Sequence, residues 1–315
     1  MNARRTIASY LLIFLILFLL QFVLPPYPHS LMTRIMVFAI YTSAYNLLLG
    51  FLGMISLGHS MYFGAGLYVT GLLIVNNIVD PISAVIIGVL SATLLGVATA
   101  PILLRTRGPM FIILTLMTSL AFYYAVILFN NVTGGEQGLV LPPEGLSLSA
   151  GKFFIDLTSP AARYNAALLG LVIAISALLA IYLKRYSTLL LAIKENEERT
   201  ELLGYDVYRH KLTVFLLSST LSGLSGSLYS VTARYIGASL VSVNYSIMPL
   251  LWALLGGQGT VLGPLVGTAF LTVIIDITSS YASSYLIIVG ISLLILVLIA
   301  PDGLLGRLKT RWLRV

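Results

Sequence analysis

Apolar runs of about twenty residues follow one another along almost the whole of this chain, and each is long enough for one helical crossing of a bilayer. The candidate spans are Ile7–Leu24, Leu31–Leu49, Ile55–Val75, Ile82–Leu104, Met110–Phe129, Ala161–Leu183, Leu212–Val231 and Tyr285–Ala300. The stretch Ser246–Ile277 has room for one long span or two short ones. It is interrupted by Gly256-Gly257-Gln258-Gly259 and by Gly263-Pro264. Every element reads as helix, and no stretch shows the alternating pattern of a membrane β-barrel. The expected fold class is all-α: a polytopic helical membrane protein of eight to ten segments with glycine-broken helices, in a single transmembrane domain over 1–315.

Composition excludes several classes of function. Only 9% of residues are charged, against roughly 25% in soluble domains. The net charge of +7 is not a nucleic-acid signature, because the basic residues cluster at the ends of apolar runs rather than in a stripe with interleaved aromatics. With no cysteine there is no disulfide, thiolate site or cysteine nucleophile. The three histidines, His29, His59 and His210, stand far apart, which argues against a metal site. No G-x-x-x-x-G-K-[ST] loop occurs, so the chain is expected to bind no cofactor, and any ATP used in transport is hydrolysed by another chain.

Charge placement gives an expected orientation. Arg4 and Arg5 precede the first run. No small-x-small cleavage site follows, only Pro25-Pro26-Tyr27-Pro28, so that run is expected to be a retained span. With the N-terminus inside, fourteen of the eighteen Lys and Arg residues fall on the cytoplasmic side, including the basic tail over 301–315; only Arg34, Lys152, Arg163 and Arg234 do not. Both termini are then cytoplasmic and the number of crossings is even, ten if the broken stretch counts twice. The segment 130–160 becomes an extracytoplasmic loop.

Eleven of the 29 charged residues lie between Lys184 and Lys211. Within that cytoplasmic loop Lys194–Leu203 reads as one short helix stopped by Gly204. Topology needs only Lys and Arg, so Glu195, Glu197, Glu198 and Glu201, beside apolar Leu202 and Leu203, point to a docking helix. The alternative is a solvated loop that only sets topology.

These residues carry a resemblance. Glu198, five residues and Gly204 have the spacing of the loop motif of binding-protein-dependent ABC permeases. Ala192-Ile193-Lys194-Glu195-Asn196-Glu197 with Leu203-Gly204-Tyr205 is similar to that loop in branched-chain amino-acid permeases of the LivM/LivH type. The chain departs from the motif at Arg199 and Thr200, where alanines are usual. Three further stretches resemble the same family: Asn46 to Tyr68, Thr133-Gly134-Gly135 with Gly138, and Leu255-Gly256-Gly257-Gln258-Gly259-Thr260 into Gly267. The Thr-Gly-Gly-x-x-Gly element, following Arg107-Gly108 at about 25 residues, favours the LivM side. The matches run in the family's order from about Asn46 to Gly306.

The resemblance implies an inner-membrane permease subunit, itself no enzyme. Its partners would be a second permease subunit, two ATPase subunits and an extracytoplasmic substrate-binding protein. Glu195, Asn196, Glu197, Glu198, Arg199, Glu201 and Gly204 would form the ATPase-coupling element. Branched-chain or hydrophobic amino acids rank first as substrate, with urea or short amides as the alternative and a passive small-solute channel as the competing class.

Two glycine clusters, around Gly50–Gly66 and Gly256–Gly267, break helices at membrane depth, a mark either of a translocation pathway or of close helix packing. Asn46, Ser56, His59, Gly256, Gly257 and Gln258 are the candidates for that pathway; helix-to-helix hydrogen bonding is the alternative for each polar group. Ser56 and His59 invite comparison with a serine hydrolase, but no G-x-S-x-G accompanies them. Asp276, acidic within a span, sits near the outer interface or pairs with Arg34, Arg163 or Arg234.

Overall fold

A computed structural model of the chain describes residues 3–150, 153–182, 186–281, 290 and 303–305. Helix α1 (Ala3–Leu20) is followed by α2 (Pro26–Asn46), which continues through a π-helical turn at Leu47–Leu52. Then come α3 (His59–Val75), α4 (Pro81–Leu103), α5 (Pro109–Leu128) and the single turn α6 (Asn130–Thr133). After an outer loop the chain forms α7 (Pro160–Tyr182), α8 (Tyr186–Glu195), α9 (Glu197–Leu202) and α10 (Val207–Ala233). The helices α11 (Val243–Gly256) and α12 (Gly263–Tyr281) complete the described chain apart from residues 290 and 303–305. The candidate span Tyr285–Ala300 and most of the tail lie outside the described residues.

Several helix starts follow from proline and side-chain caps. Pro26, Pro81 and Pro109 occupy first turns, where a missing N–H costs nothing. The Pro25-Pro26-Tyr27-Pro28 run is thus the entrance to α2. Asp80 caps α4 by accepting from Ser83 N at 3.0 Å, and Asp206 caps α10 by accepting from Arg209 N at 3.1 Å.

Among the described residues five helices are long and apolar enough to cross a membrane: α2 with its π turn, α4, α5, α7 and α10. The remaining apolar helices, including α3, α11 and α12, are shorter. The stretch Ser246–Ile277 is two helices, turning at residues 257–262.

Helix α10 is central, packed on α2, α3 and α4. Small residues let these backbones approach: a Cβ on Gly66 of α3 would lie 2.1 Å from the Gly223 carbonyl of α10. By contrast α4 and α5 keep outward apolar faces, with Ile86, Leu90, Leu94, Ile113 and Met117 exposed.

Three expectations are corrected. Not every element is helical: β1 (Leu139–Val140) pairs antiparallel with β4 (Tyr235–Ile236), and β2 (Ser147–Ala150) with β3 (Phe153–Asp156). The outer loop, broken by Gly134-Gly135 and Pro142-Pro143, satisfies part of its backbone by pairing extended strands. Lys194–Leu203 is not one helix. Asn196 is extended (φ −160°, ψ 104°) and its side chain accepts from Arg199 N at 2.9 Å, so it ends α8 and caps α9. The span expected over Ile55–Val75 becomes helical only at His59, after an irregular linker over residues 53–58.

Helix ends collect at two faces. At one, Gly53 touches Lys194, Arg107 meets Glu197, Asn46 meets Thr260, and Leu304 N donates to Leu255 O at 2.7 Å. At the other, Leu141 N donates to Arg234 O, Arg163 to Thr232 O, and Arg34 pairs with Asp276.

Candidate functional site

At the first face α8 and α9 form a charged elbow against the ends of α2, α5 and α10. Arg107, in the α4–α5 loop, organises it: Nε lies 2.9 Å from Glu197 Oε2, Nη2 3.2 Å from Glu201 Oε1, and Nη1 3.8 Å from Glu198 Oε1. Lys211, only 4% exposed at its side chain, donates from Nζ to Glu197 Oε1 at 2.8 Å. Lys194 donates to the Gly50 carbonyl at 3.1 Å and so ties α8 to the π turn. Breaking a buried charge pair by removing one partner costs about 3–5 kcal/mol, whereas an exposed pair is worth about 0–1 kcal/mol. Glu197, held between Lys211 and Arg107, is therefore the structural centre of the elbow, while the more open Glu198 is not.

The residues expected to couple are brought together here: Glu195, Asn196, Glu198, Arg199 and Glu201 are exposed, Glu197 is half-buried, and Gly204 ends α9 at φ +88°. What the elbow leaves outward is apolar: Leu202 is 88% and Leu203 70% exposed, next to exposed Tyr205 and Tyr208. Arg107 and Lys211 were not identified from sequence as partners of the glutamates. Part of the signal was present, since each stands just before an apolar run, at the membrane face where the acidic stretch is also expected.

The pathway candidates divide. Asn46 is fully buried and brackets the α11–α12 turn: Nδ2 donates to Thr260 O, and Oδ1 accepts from Gly259 N, each at 2.9 Å. The two glycine clusters meet at this point. A Cβ on Gly50 would sit 2.5 Å from Gly259 N, so only glycine permits the contact. Gly256 and Gly257 are buried in the same knot, whereas Gln258 is exposed at the elbow face.

Ser56 accepts from Gly58 N at 3.2 Å, and its own N–H donates to Tyr45 Oη at 3.3 Å. Leu57 N donates to Thr115 Oγ1 at 3.1 Å. The 53–58 linker thus has side-chain partners where helix geometry is lost, as non-helical backbone inside a membrane requires.

His59 bonds Ser218 Oγ through Nε2 at 2.9 Å, and that hydroxyl donates to Ala44 O at 2.6 Å. His59 therefore donates to Ser218, not to Ser56, and its Nδ1 is buried without a hydrogen-bond partner among the described residues. Nearby, Ser246 Oγ accepts from Ser60 N at 2.9 Å and donates to Ser60 Oγ at 2.8 Å, with Ser119 Oγ a further 2.8 Å from Ser60 Oγ. This buried network joins α3, α5 and α11. The related serine face of α10 was legible: Ser218, Ser222 and Ser225 follow the helical period.

The Thr133, Gly134, Gly135, Gly138 motif lies at the second face and works as a strap. Thr133 Oγ1 donates to Val126 O at 2.6 Å. Gly138, at φ +71°, lets the Ile236 carbonyl approach to 2.3 Å from where a Cβ would stand. That contact fixes β4, from which the chain passes along α3 into α11: Ile236 packs on Gly71 and Val241 on Gly64. Asp276 pairs with Arg34 at 2.8 Å and accepts from the Tyr27 hydroxyl.

Comparison with known proteins agrees with this architecture. A family model described as the permease component of branched-chain amino acid transport systems matches residues 27–300. The high-affinity branched-chain amino acid transport system permease protein LivM of Escherichia coli is 24% identical over 300 residues, 87% of this chain and 68% of that protein. A probable LivM of Methanocaldococcus jannaschii is 25% identical over 214 residues, 60% of this chain and 59% of the other. The ribose import permease protein RbsC of Haemophilus influenzae is 33% identical over 128 residues, 38% of each chain. No solved structure matches the chain significantly. With the family model covering residues 27–300 and LivM proteins aligned along most of its length, this multi-pass membrane protein belongs to the permease components of branched-chain amino acid ABC transport systems, on the LivM side.

Proposed function

We propose that this chain is the membrane subunit through which a binding-protein-dependent importer passes branched-chain or other hydrophobic amino acids into the cytoplasm. Its elbow is the seat of the ATPase. The observation that carries the reading is the division of labour in α8–α9: Glu197 and Glu201 turn toward Arg107 and Lys211, and Leu202, Leu203 and Tyr205 are left outward. A rigid, charge-braced elbow with an apolar tip suits a partner's groove. The elbow face is cytoplasmic, in a bacterial-type inner membrane. The concentration there of Arg105, Arg107, Lys194, Arg199, Arg209 and Lys211, against Arg34, Arg163 and Arg234 opposite, supports that orientation.

The complete importer contains a second permease subunit, two ATPase subunits, which hold the ATP, and an extracytoplasmic binding protein. Movement of the elbow reaches the membrane interior through Lys194 and the π turn to the Gly50–Gly259 contact, where Asn46, Gly256 and Gly257 lie beside the route. Each state must be biased by contacts made with ATPase or binding protein in that state alone.

The test is leucine uptake and ATPase co-purification with Leu202→Asp/Leu203→Asp. Both are expected to fall while the protein remains inserted; unchanged values for both overturn docking at the elbow. Uptake of labelled leucine against labelled urea, with the cognate binding protein supplied, decides the substrate.

A further inference from the structure

At the face opposite the elbow, a cavity of about 750 Å³ opens between the first turns of α2 and α7 and the last turns of α10 and α12. Its size falls within the roughly 300–1,000 Å³ of small-molecule pockets. Leu24, Leu31 and Ala161 give it apolar walls, and three charged side chains reach it: Arg34, Arg163 and Asp276.

The three charges are not equivalent. Asp276 is already engaged by Arg34 and by the Tyr27 hydroxyl. Arg163 donates from Nη1 to the Thr232 carbonyl at 3.1 Å, but among the described residues its buried Nε has no acceptor and its guanidinium makes no ion pair. A half-buried guanidinium with an unpaired Nε is favoured by a ligand that brings a counter-charge. A carboxylate matches its planar fork. A carboxylate offers about four acceptor sites, so Asp276 can accept from an ammonium besides Arg34 and Tyr27, and a ligand that carries both charges can use all three groups.

We propose that this cavity is an entry subsite for a zwitterionic α-amino acid with an apolar side chain. Arg163 holds the carboxylate, Asp276 shares its charge between Arg34 and the ammonium, and the side chain lies against Leu31 and Ala161. The proposal rests on the import of amino acids argued above and names where this subunit first takes hold of one.

Binding of radiolabelled leucine to the purified importer in lipid nanodiscs, without the binding protein, tests it. Leucine is expected to bind saturably, with leucinamide, which lacks the carboxylate, competing about tenfold less well, the worth of one charged hydrogen bond. Arg163→Gln should weaken leucine by about the same factor and abolish the discrimination against leucinamide, while Arg163→Lys keeps part of it. Asp276→Asn should abolish discrimination against 4-methylpentanoate, which lacks the ammonium, and it decides the matter if Arg163→Gln does not assemble. The inference is overturned if the wild-type complex binds no leucine, or if the variants keep wild-type selectivity. It is also overturned if native mass spectrometry finds the cavity filled by a phospholipid that Arg163→Gln releases. ATP-driven leucine import by the wild type with its binding protein separates the two levels. Import without cavity binding sinks only the subsite, whereas absence of import sinks the transport reading.

Discussion

Asn46 concentrates much of this molecule's logic in one side chain. Its amide spans the buried Gly259 N–H and the half-buried Thr260 carbonyl, so Asn46→Leu leaves both unpaired, at about 1–3 kcal/mol for the buried donor and less for the acceptor. A lowered Tm of the purified protein in detergent is the expected result, with Asn46→Asp intermediate because it keeps the acceptor. Glu197→Ala strands the buried Lys211 ammonium and should cost about 3 kcal/mol or more, against about 1 kcal/mol or less for Glu198→Ala, whose side chain is 82% exposed. Paired unfolding measurements on the two variants check the ratio. At this scale the sequence was half legible. It marked Asn46 as a polar residue needing a partner but not which one, because the Gly259 N–H lies more than two hundred positions away.

The elbow is a property of elements rather than of single charges. Asn196→Ala removes the cap that separates α8 from α9 and should cost about 1 kcal/mol. Faster amide exchange over Glu197–Leu202 is the expected readout, with the spans unaffected. Asp80 plays the same part at α4, where the backbone N–H of Ser83 and then its hydroxyl hold the carboxyl below the usual carboxylate range. A depressed carboxylate stabilises the fold above its unfolded-state value, and that contribution disappears as pH falls through the folded one. Protection of the first turn of α4 should therefore be full at neutral pH and lost only in acid below the ordinary carboxylate range, while Asp80→Asn should show no such transition. Both caps were visible in the sequence as Asn or Asp just before a helix-forming run. Asn196 was passed over because the good helix formers around it favour one continuous helix.

For the whole molecule, the decisive question is whether the chain moves solute by itself. Proteoliposomes containing it without ATPase subunits are expected to show no leucine flux above that of empty vesicles. Flux without partner or ATP would instead identify a passive channel. The packing among the described residues supports the expectation: the Ser60–Ser119–Ser246 network, the His59–Ser218 bond and the Gly50–Gly259 contact are all buried. Opening such a path requires moving packed elements.

By itself the sequence determined the helical class, the two faces and the acidic loop, because each depends on the local distribution of apolar and charged residues over stretches of about twenty positions. It also carried the family motifs in order. Only the tertiary structure decided what those motifs touch. Glu197 and Glu201 brace the loop through Arg107 and Lys211, the two glycine clusters touch each other, and the Thr-Gly-Gly-x-x-Gly strap secures β4 ahead of α11. Asp276 chose Arg34 and left Arg163 without a carboxylate among the described residues. Each of these is a pairing between distant positions, set by which buried donors, acceptors and charges must find a partner once the helices pack, and no local pattern in the chain encodes that choice.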